Sequence, residues 1–295
     1  MKATTLAAPA AIERSSWFSI AADLVKARLT FLVLLTTLVG FYMGSGAAVD
    51  FTLMTATLAG TTLLACGAAA LNQLAEREYD ARMRRTEGRP LPAGKLQPDT
   101  VLLIGVGTSV IGLVTLAFGV NLLTSFLGAL TLVSYLFIYT PLKRKTWLNT
   151  AVGAIPGALP PLMGWTAATG TISIGGWIVF AILFFWQLPH FMAISWMYRE
   201  DYGRAGFRML SVEDADGAAT ARQAIGYSIA LLLVSVLPPL FHLGSIAYSV
   251  AAALCGVAIL AASIVFRRER SNRNARRLFM MSNVYLIVVM VLLVL

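Results

Sequence analysis

Asn72, Glu76 and Asp80 stand four residues apart, just past an uncharged stretch at 51–70. On a helix, a step of four drifts only about 40° round the axis and rises about 6 Å. The three side chains therefore stack on one face, and Arg84 continues the row. Carboxylates stacked in this way repel unless a cation or arginines lie between them. Hard oxygen donors at a membrane rim suit Mg²⁺, which keeps part of its water and completes its shell with phosphate oxygens. The same stretch also carries Arg77, Glu78, Arg82, Arg85, Glu87 and Arg89. A solvated helix end with Glu–Arg pairs accounts for the spacing equally well.

A second carboxylate pair, Glu200 and Asp201, follows Tyr198 and Arg199. Two such clusters facing each other across a cavity would hold two Mg²⁺ ions on one diphosphate. Arg and Lys at the same level would bind its outer oxygens. The run YTPLKRK, with Tyr139, Lys143 and Arg144, offers such groups, although a short basic loop that only sets topology has the same composition.

The elements that must position these residues are membrane helices. The 295-residue chain is 58% hydrophobic and 13% charged, with a mean hydropathy of +0.76. Soluble domains carry about 25% charged residues. Apolar runs near twenty residues recur along the whole length, and lipid leaves helices or closed barrels as the only spanning structures. The short alternating segments of a barrel are missing. The expected fold class is an all-α polytopic membrane protein, one membrane domain over 1–295 with nine helices around a central cavity. The spans fall near 30–47, 51–71, 100–119, 122–139, 148–168, 174–197, 223–243, 246–266 and 278–295. Residues 1–24 are expected to form a poorly ordered tail.

All 23 Lys and Arg residues fall on the tail or on the second, fourth, sixth and eighth loops. The positive-inside rule then puts the N-terminus in the cytoplasm and the C-terminus outside. Every acidic residue except Asp50 lies on the same side. Acids contribute little to topology, so they need another reason to be there. No apolar core of signal-peptide type precedes Trp17, which favours a bacterial inner membrane over a secreted or imported protein. Cys66 and Cys255 sit inside apolar runs and read as small core residues.

At this point the residues carry a resemblance. Asn72, Glu76 and Asp80 match the motif N-x-x-x-D-x-x-x-D of the UbiA superfamily of intramembrane prenyltransferases, with Glu in the middle place. Within it the chain resembles the protohaem IX farnesyltransferases, or haem O synthases. Arg77-Glu78-Tyr79-Asp80 matches that branch's R-D-x-D, which leaves Glu76 and Glu78 as rival ligands. Helical spacing favours Glu76, since Glu78 points about 200° away. Further runs of the same kind are KARLTFLVLLT at 26–36, RRTEGRPLPAG at 84–94, YTPLKRKTWLN at 139–149, GAIPGALPPLMGW at 153–165 and WQLPHFMAISWMYREDYGRAGFRML at 186–210. The likeness extends from about residue 24 to the C-terminus.

The resemblance implies transfer of a farnesyl group from farnesyl diphosphate to a vinyl group of haem B, giving haem O. Haem B is then a substrate and not a cofactor. Mg²⁺ would sit on Asn72, Glu76, Asp80, Glu200 and Asp201. Lys143, Arg144, Arg84 and Arg28 would stabilise the leaving diphosphate, and Arg89 and Tyr198 would contact substrate. Tyr139, Trp186 and Trp196 would face the allylic cation. His190, with Gln187 beside it, would touch haem iron or a propionate, or would hydrogen-bond a neighbouring helix. Haem A synthase or an oxidase assembly factor would be a partner, membrane lipid the surrounding medium, and nucleic acid no partner. Two other readings are a UbiA-type enzyme acting on an aromatic quinone precursor and a transporter. A transporter places its ionisable groups near the bilayer midplane, whereas nearly all of these lie at one face.

Overall fold

The computed structural model describes residues 16–46 and 48–294. Among these, every regular element is helical. A short α1 (Trp17–Leu24) leads into α2 (Ala27–Ser45), α3 (Phe51–Asp80), α4 (Pro98–Gly119) and α5 (Leu122–Val133). The last runs through a π-helical turn, Ser134–Tyr139, into α6 (Thr140–Leu142). Then come α7 (Asn149–Thr169), α8 (Ile174–Met197), the short α9 (Arg199–Arg204) and α10 (Leu210–Glu213), and finally α11 (Ala218–Ser235), α12 (Ile246–Arg268) and α13 (Asn272–Val294).

Among the described residues eight helical stretches are long and apolar enough to cross a membrane, and the chain is a multi-pass membrane protein. The ninth expected span is α7, which is not among the eight. It forms, but Pro, Gly and Thr dilute its apolar content. It can afford this because its neighbours cover it: Ala154, Ala158, Leu162 and Thr166 are fully buried. Along α7 pack α2, α5 and α8, while α8 in turn packs on α11 and α13.

Two expected boundaries move. The span expected to end near 71 stays helical to Asp80, so the acidic row lies on the same rod as the apolar run. The tail expected to be poorly ordered includes α1, whose start is capped by the Ser16 hydroxyl accepting from the Phe18 amide at 3.2 Å. Residues 1–15, with Lys2 and Arg14, lie outside the described residues. Of the acids before α11, Asp214 accepts from the Thr220 amide at 2.7 Å and Asp216 from the Ala218 amide at 3.1 Å, while Glu213 pairs with Arg208.

Close contact between α2 and α7 depends on glycine. A methyl group on Gly40 would fall on the Pro161 carbonyl oxygen, and one on Gly164 on the Thr37 carbonyl oxygen. In lipid the hydrophobic drive between helices is weak, so small residues that let backbones approach take its place. Overpacking a core typically costs about 1–3 kcal/mol. Gly164→Val is therefore expected to lower the thermal unfolding midpoint of the detergent-purified protein. An unchanged midpoint would contradict the α2–α7 contact.

Candidate active site

The row on α3 is buried. Asn72 and Asp80 have no exposed surface and Glu76 only 5%, which rules out a solvated helix end. Glu78 points to solvent, so the helical geometry selects Glu76 over its rival. Each member of the row receives one cation, and the three come from different segments. Lys26 Nζ donates to Asn72 Oδ1 at 2.6 Å. Lys143 Nζ donates to Glu76 Oε1 at 2.7 Å, and Arg89 Nη1 to Asp80 Oδ2 at 2.6 Å.

Arg84 does not continue the row. The helix stops at Asp80 and Arg84 lies exposed in the turns beyond. Those turns explain the RRTEGRPLPAG run. The Thr86 hydroxyl donates to the Asp80 carbonyl at 2.8 Å, closing the end of α3. The chain then folds back and returns Arg89 to Asp80.

Lys26 was missed in the sequence, where Arg28 drew the role. Arg28 is exposed. Lys26 sits between α1 and α2 with φ +49°, a left-handed conformation that costs a lysine about 1–3 kcal/mol. Gln73 pins this junction by donating to the carbonyls of Asp23 and Leu24 at 2.7 and 2.8 Å. Burial, helped by the nearby Arg89 charge, pushes the Lys26 ammonium down to about 7. Lys143 behaves oppositely. Burial disfavours its charge, but the Glu76 carboxylate outweighs this and holds it above the ordinary lysine range.

The π-helical turn positions the aromatic groups. Thr140 donates to the Tyr135 carbonyl at 2.9 Å and accepts from Asn72 Nδ2 at 3.1 Å, which ties the turn to the row. Tyr135 and Tyr139 stack with centroids 5.7 Å apart, and Lys143 Nζ lies 4.6 Å above the Tyr139 ring. Tyr135 also escaped the sequence reading. Its signal was available, since it precedes Tyr139 by four residues. π-Helical turns inside α-helices are frequent at functional sites.

The sixth loop packs onto this assembly without bringing its carboxylates to the row. Phe207 and Met209 cluster with Met83 and Tyr79, the Arg208 amide donates to the Lys143 carbonyl at 2.7 Å, and Arg85 lies over the rings of Tyr198 and Tyr202. Asp201 pairs with Arg204, and Glu200 is exposed. Among the described residues no three His, Cys, Asp or Glu side chains converge as a metal centre. The α3 row by itself suits a hard cation. Asp80 Oδ1 is buried with no hydrogen-bond partner, and an oxygen left bare in this way is an open ligand position.

Beside the row lies a cavity of about 330 Å³, lined by Lys26, Thr30, Ala65, Ala69, Tyr135, Tyr139, Pro156, Trp186, Gln187 and His190, among others. The prolines and glycines of α7 shape it: a methyl group on Gly153 would strike the Tyr139 ring, and one on Gly157 the Gln187 amide. Trp196 is not in it. Ten residues after Trp186 it stands about 80° away from it round the α8 axis and about 15 Å along. There it is buried, edge-on to Phe266 at 5.8 Å. Arg144 points to the other side of α3, over the Tyr79 ring, in a polar groove with Arg77 and Glu78.

Residues 33–284 match the model of the UbiA prenyltransferase family. The chain belongs to that family. A protoheme IX farnesyltransferase from Solibacter usitatus (strain Ellin6076) is 47% identical over 273 residues, covering 90% of this chain and 94% of that protein. A solved digeranylgeranylglyceryl phosphate synthase shares the fold at TM-score 0.79, with 15% identity over 94% of this chain and 97% of that one. A UbiA homolog from Archaeoglobus fulgidus, bound to GPP and Mg²⁺, gives TM-score 0.65 at 14% identity over 94% of this chain and all of that one. In this UbiA chain the middle place of the family motif is held by Glu76, and Lys143 is its counterion.

Removing one partner of a buried ion pair leaves an uncompensated charge and costs about 3–5 kcal/mol. Glu76→Gln is expected to destabilise the protein by about that much through Lys143. Adding Lys143→Met should recover a large part of the loss, read by denaturant unfolding in detergent. Strict additivity of the two losses would mean that the side chains do not interact.

Proposed function

We propose that the protein transfers the farnesyl group of farnesyl diphosphate to a vinyl group of haem B, giving haem O and diphosphate, with Mg²⁺, at the cytoplasmic face of a bacterial inner membrane. The observation that carries this reading is the buried Asn72–Glu76–Asp80 row, matched cation for cation, beside an apolar cavity. The name of the 47%-identical relative supports the acceptor, and the ligands of the Archaeoglobus homolog support a prenyl diphosphate with Mg²⁺. With the positive-inside rule, the charge distribution favours a cytoplasmic N-terminus and an external C-terminus. Contact with haem A synthase or an oxidase assembly factor belongs to the same reading.

Asn72, Glu76 and Asp80 would hold Mg²⁺, with Glu200 and Asp201 as candidates for a second ion. When bound, the metal neutralises the diphosphate and polarises the leaving group. Lys143 and Arg89 place fixed positive charge where negative charge grows as the C1–O bond breaks, and Lys26 adds to it when protonated. The apolar cavity keeps water from the allylic cation until the acceptor reacts. Tyr135 and Tyr139 present π faces that favour a cation. The vinyl group then attacks C1, and water captures the cation formed on the haem side chain, losing one proton.

Incubating the purified protein with haem B, farnesyl diphosphate and Mg²⁺ is expected to yield haem O, separable by chromatography. Asp80→Ala should reduce turnover by on the order of 100-fold or more while the protein still reaches the membrane. Prenylation of a hydroxybenzoate with no haem O would overturn the acceptor. Full activity of Asp80→Ala would overturn the site.

A further inference from the structure

His190 lies on the cavity wall, with Nδ1 bonded to the Ser282 hydroxyl. The Ser282 hydroxyl has one hydrogen, which it donates to the Phe279 carbonyl at 2.7 Å. With that hydrogen on the carbonyl, Ser282 accepts from His190 Nδ1, 2.8 Å away, and the ring is in its Nδ1-protonated tautomer. In a neutral imidazole the other nitrogen, Nε2, then holds a lone pair. Nothing in the described structure takes that lone pair.

The ring is also fixed in plane. Trp186 stacks on it at 4.9 Å with 29° between planes, and Phe279 flanks it at 4.8 Å with 32°. The Trp186 indole is itself fastened to the Ser282 carbonyl at 2.6 Å. Four residues apart on α8, Trp186 and His190 share the face that lines the cavity. A histidine whose one nitrogen donates to a fixed partner while the other is bare is the usual arrangement of a metal ligand. A propionate would take a hydrogen from Nε2, which this tautomer does not carry, whereas iron takes the bare lone pair.

We propose that His190 Nε2 coordinates the iron of the haem acceptor, with Ser282 as its positioning residue; this rests on the reading of haem as the acceptor. Imidazole nitrogen suits iron. The bond forms by donation of the Nε2 lone pair into an open axial position, with no change in oxidation state. Axial ligation holds the porphyrin at its centre and leaves its edge, where the vinyl groups are, free to meet the farnesyl C1.

The test is a titration of the purified protein with haem B, followed by visible absorption and resonance Raman spectra. Wild type is expected to show imidazole-coordinated haem. His190→Ala should lose that signature, and added imidazole should restore it. Ser282→Ala keeps the ligand but not its orientation, and haem affinity should fall by about 10–100-fold. This second variant carries the test should His190→Ala fail to fold. An unchanged spectrum in His190→Ala that still makes haem O would overturn the iron contact and leave the proposed function standing. Wild type that takes up no haem, yet binds farnesyl diphosphate with Mg²⁺, would overturn both.

Discussion

Oxygen atoms taken out of water on α3 set the terms for everything around them. An isolated buried carboxylate is several kcal/mol out of balance, and only close cations and hydrogen bonds correct this. Glu76 and Asp80 each have one such cation, and Asn72 shares its oxygen with a third. The cations cannot come from α3 itself, because its one arginine, Arg77, is exposed on another face. They arrive from the α1–α2 junction, from the turns after α3, and from the end of α6.

Much of the chain outside the lipid-facing helices can be understood as the means of delivery. The left-handed Lys26, the Gln73 clamp, the Thr86 cap and the π-helical turn at Ser134–Tyr139 each bring one group to the row. The sixth loop braces the fourth through the Arg208 amide on the Lys143 carbonyl and the Asn149 amide on the Arg208 carbonyl. Disturbing any one of these would leave a charge buried without its partner, which is why the loops at this end are densely bonded.

The periodicity of the sequence was enough for the helices and for the row, because period 3.6 and apolar length are properties of one segment at a time. Trp186 and His190 were named from the family resemblance, and both line the cavity. What the periodicity could not show was which cation reaches which oxygen. Arg84 was drawn into the row by extending a helix that in fact ends at Asp80. Arg28 was chosen over Lys26 because nothing local reveals that a lysine will adopt φ +49°. Trp196 was grouped with Trp186 by residue type, although their separation on α8 turns them to different faces. Asp201 looked free in sequence and is engaged by Arg204 three residues on. The pairing of Lys26 with Asn72 and of Lys143 with Glu76 depends on contacts between segments distant in the chain.

The central claim is that the Asn72–Glu76–Asp80 row and its three cations receive the diphosphate. A crystal structure of the protein with farnesyl S-thiolodiphosphate and Mn²⁺, the metal located by its anomalous signal, tests this directly. The account predicts metal on this row and diphosphate oxygens within hydrogen-bond distance of Lys143 and Arg89. Diphosphate in the groove beside Arg77 and Arg144, with the ion pairs of the row intact, would contradict it.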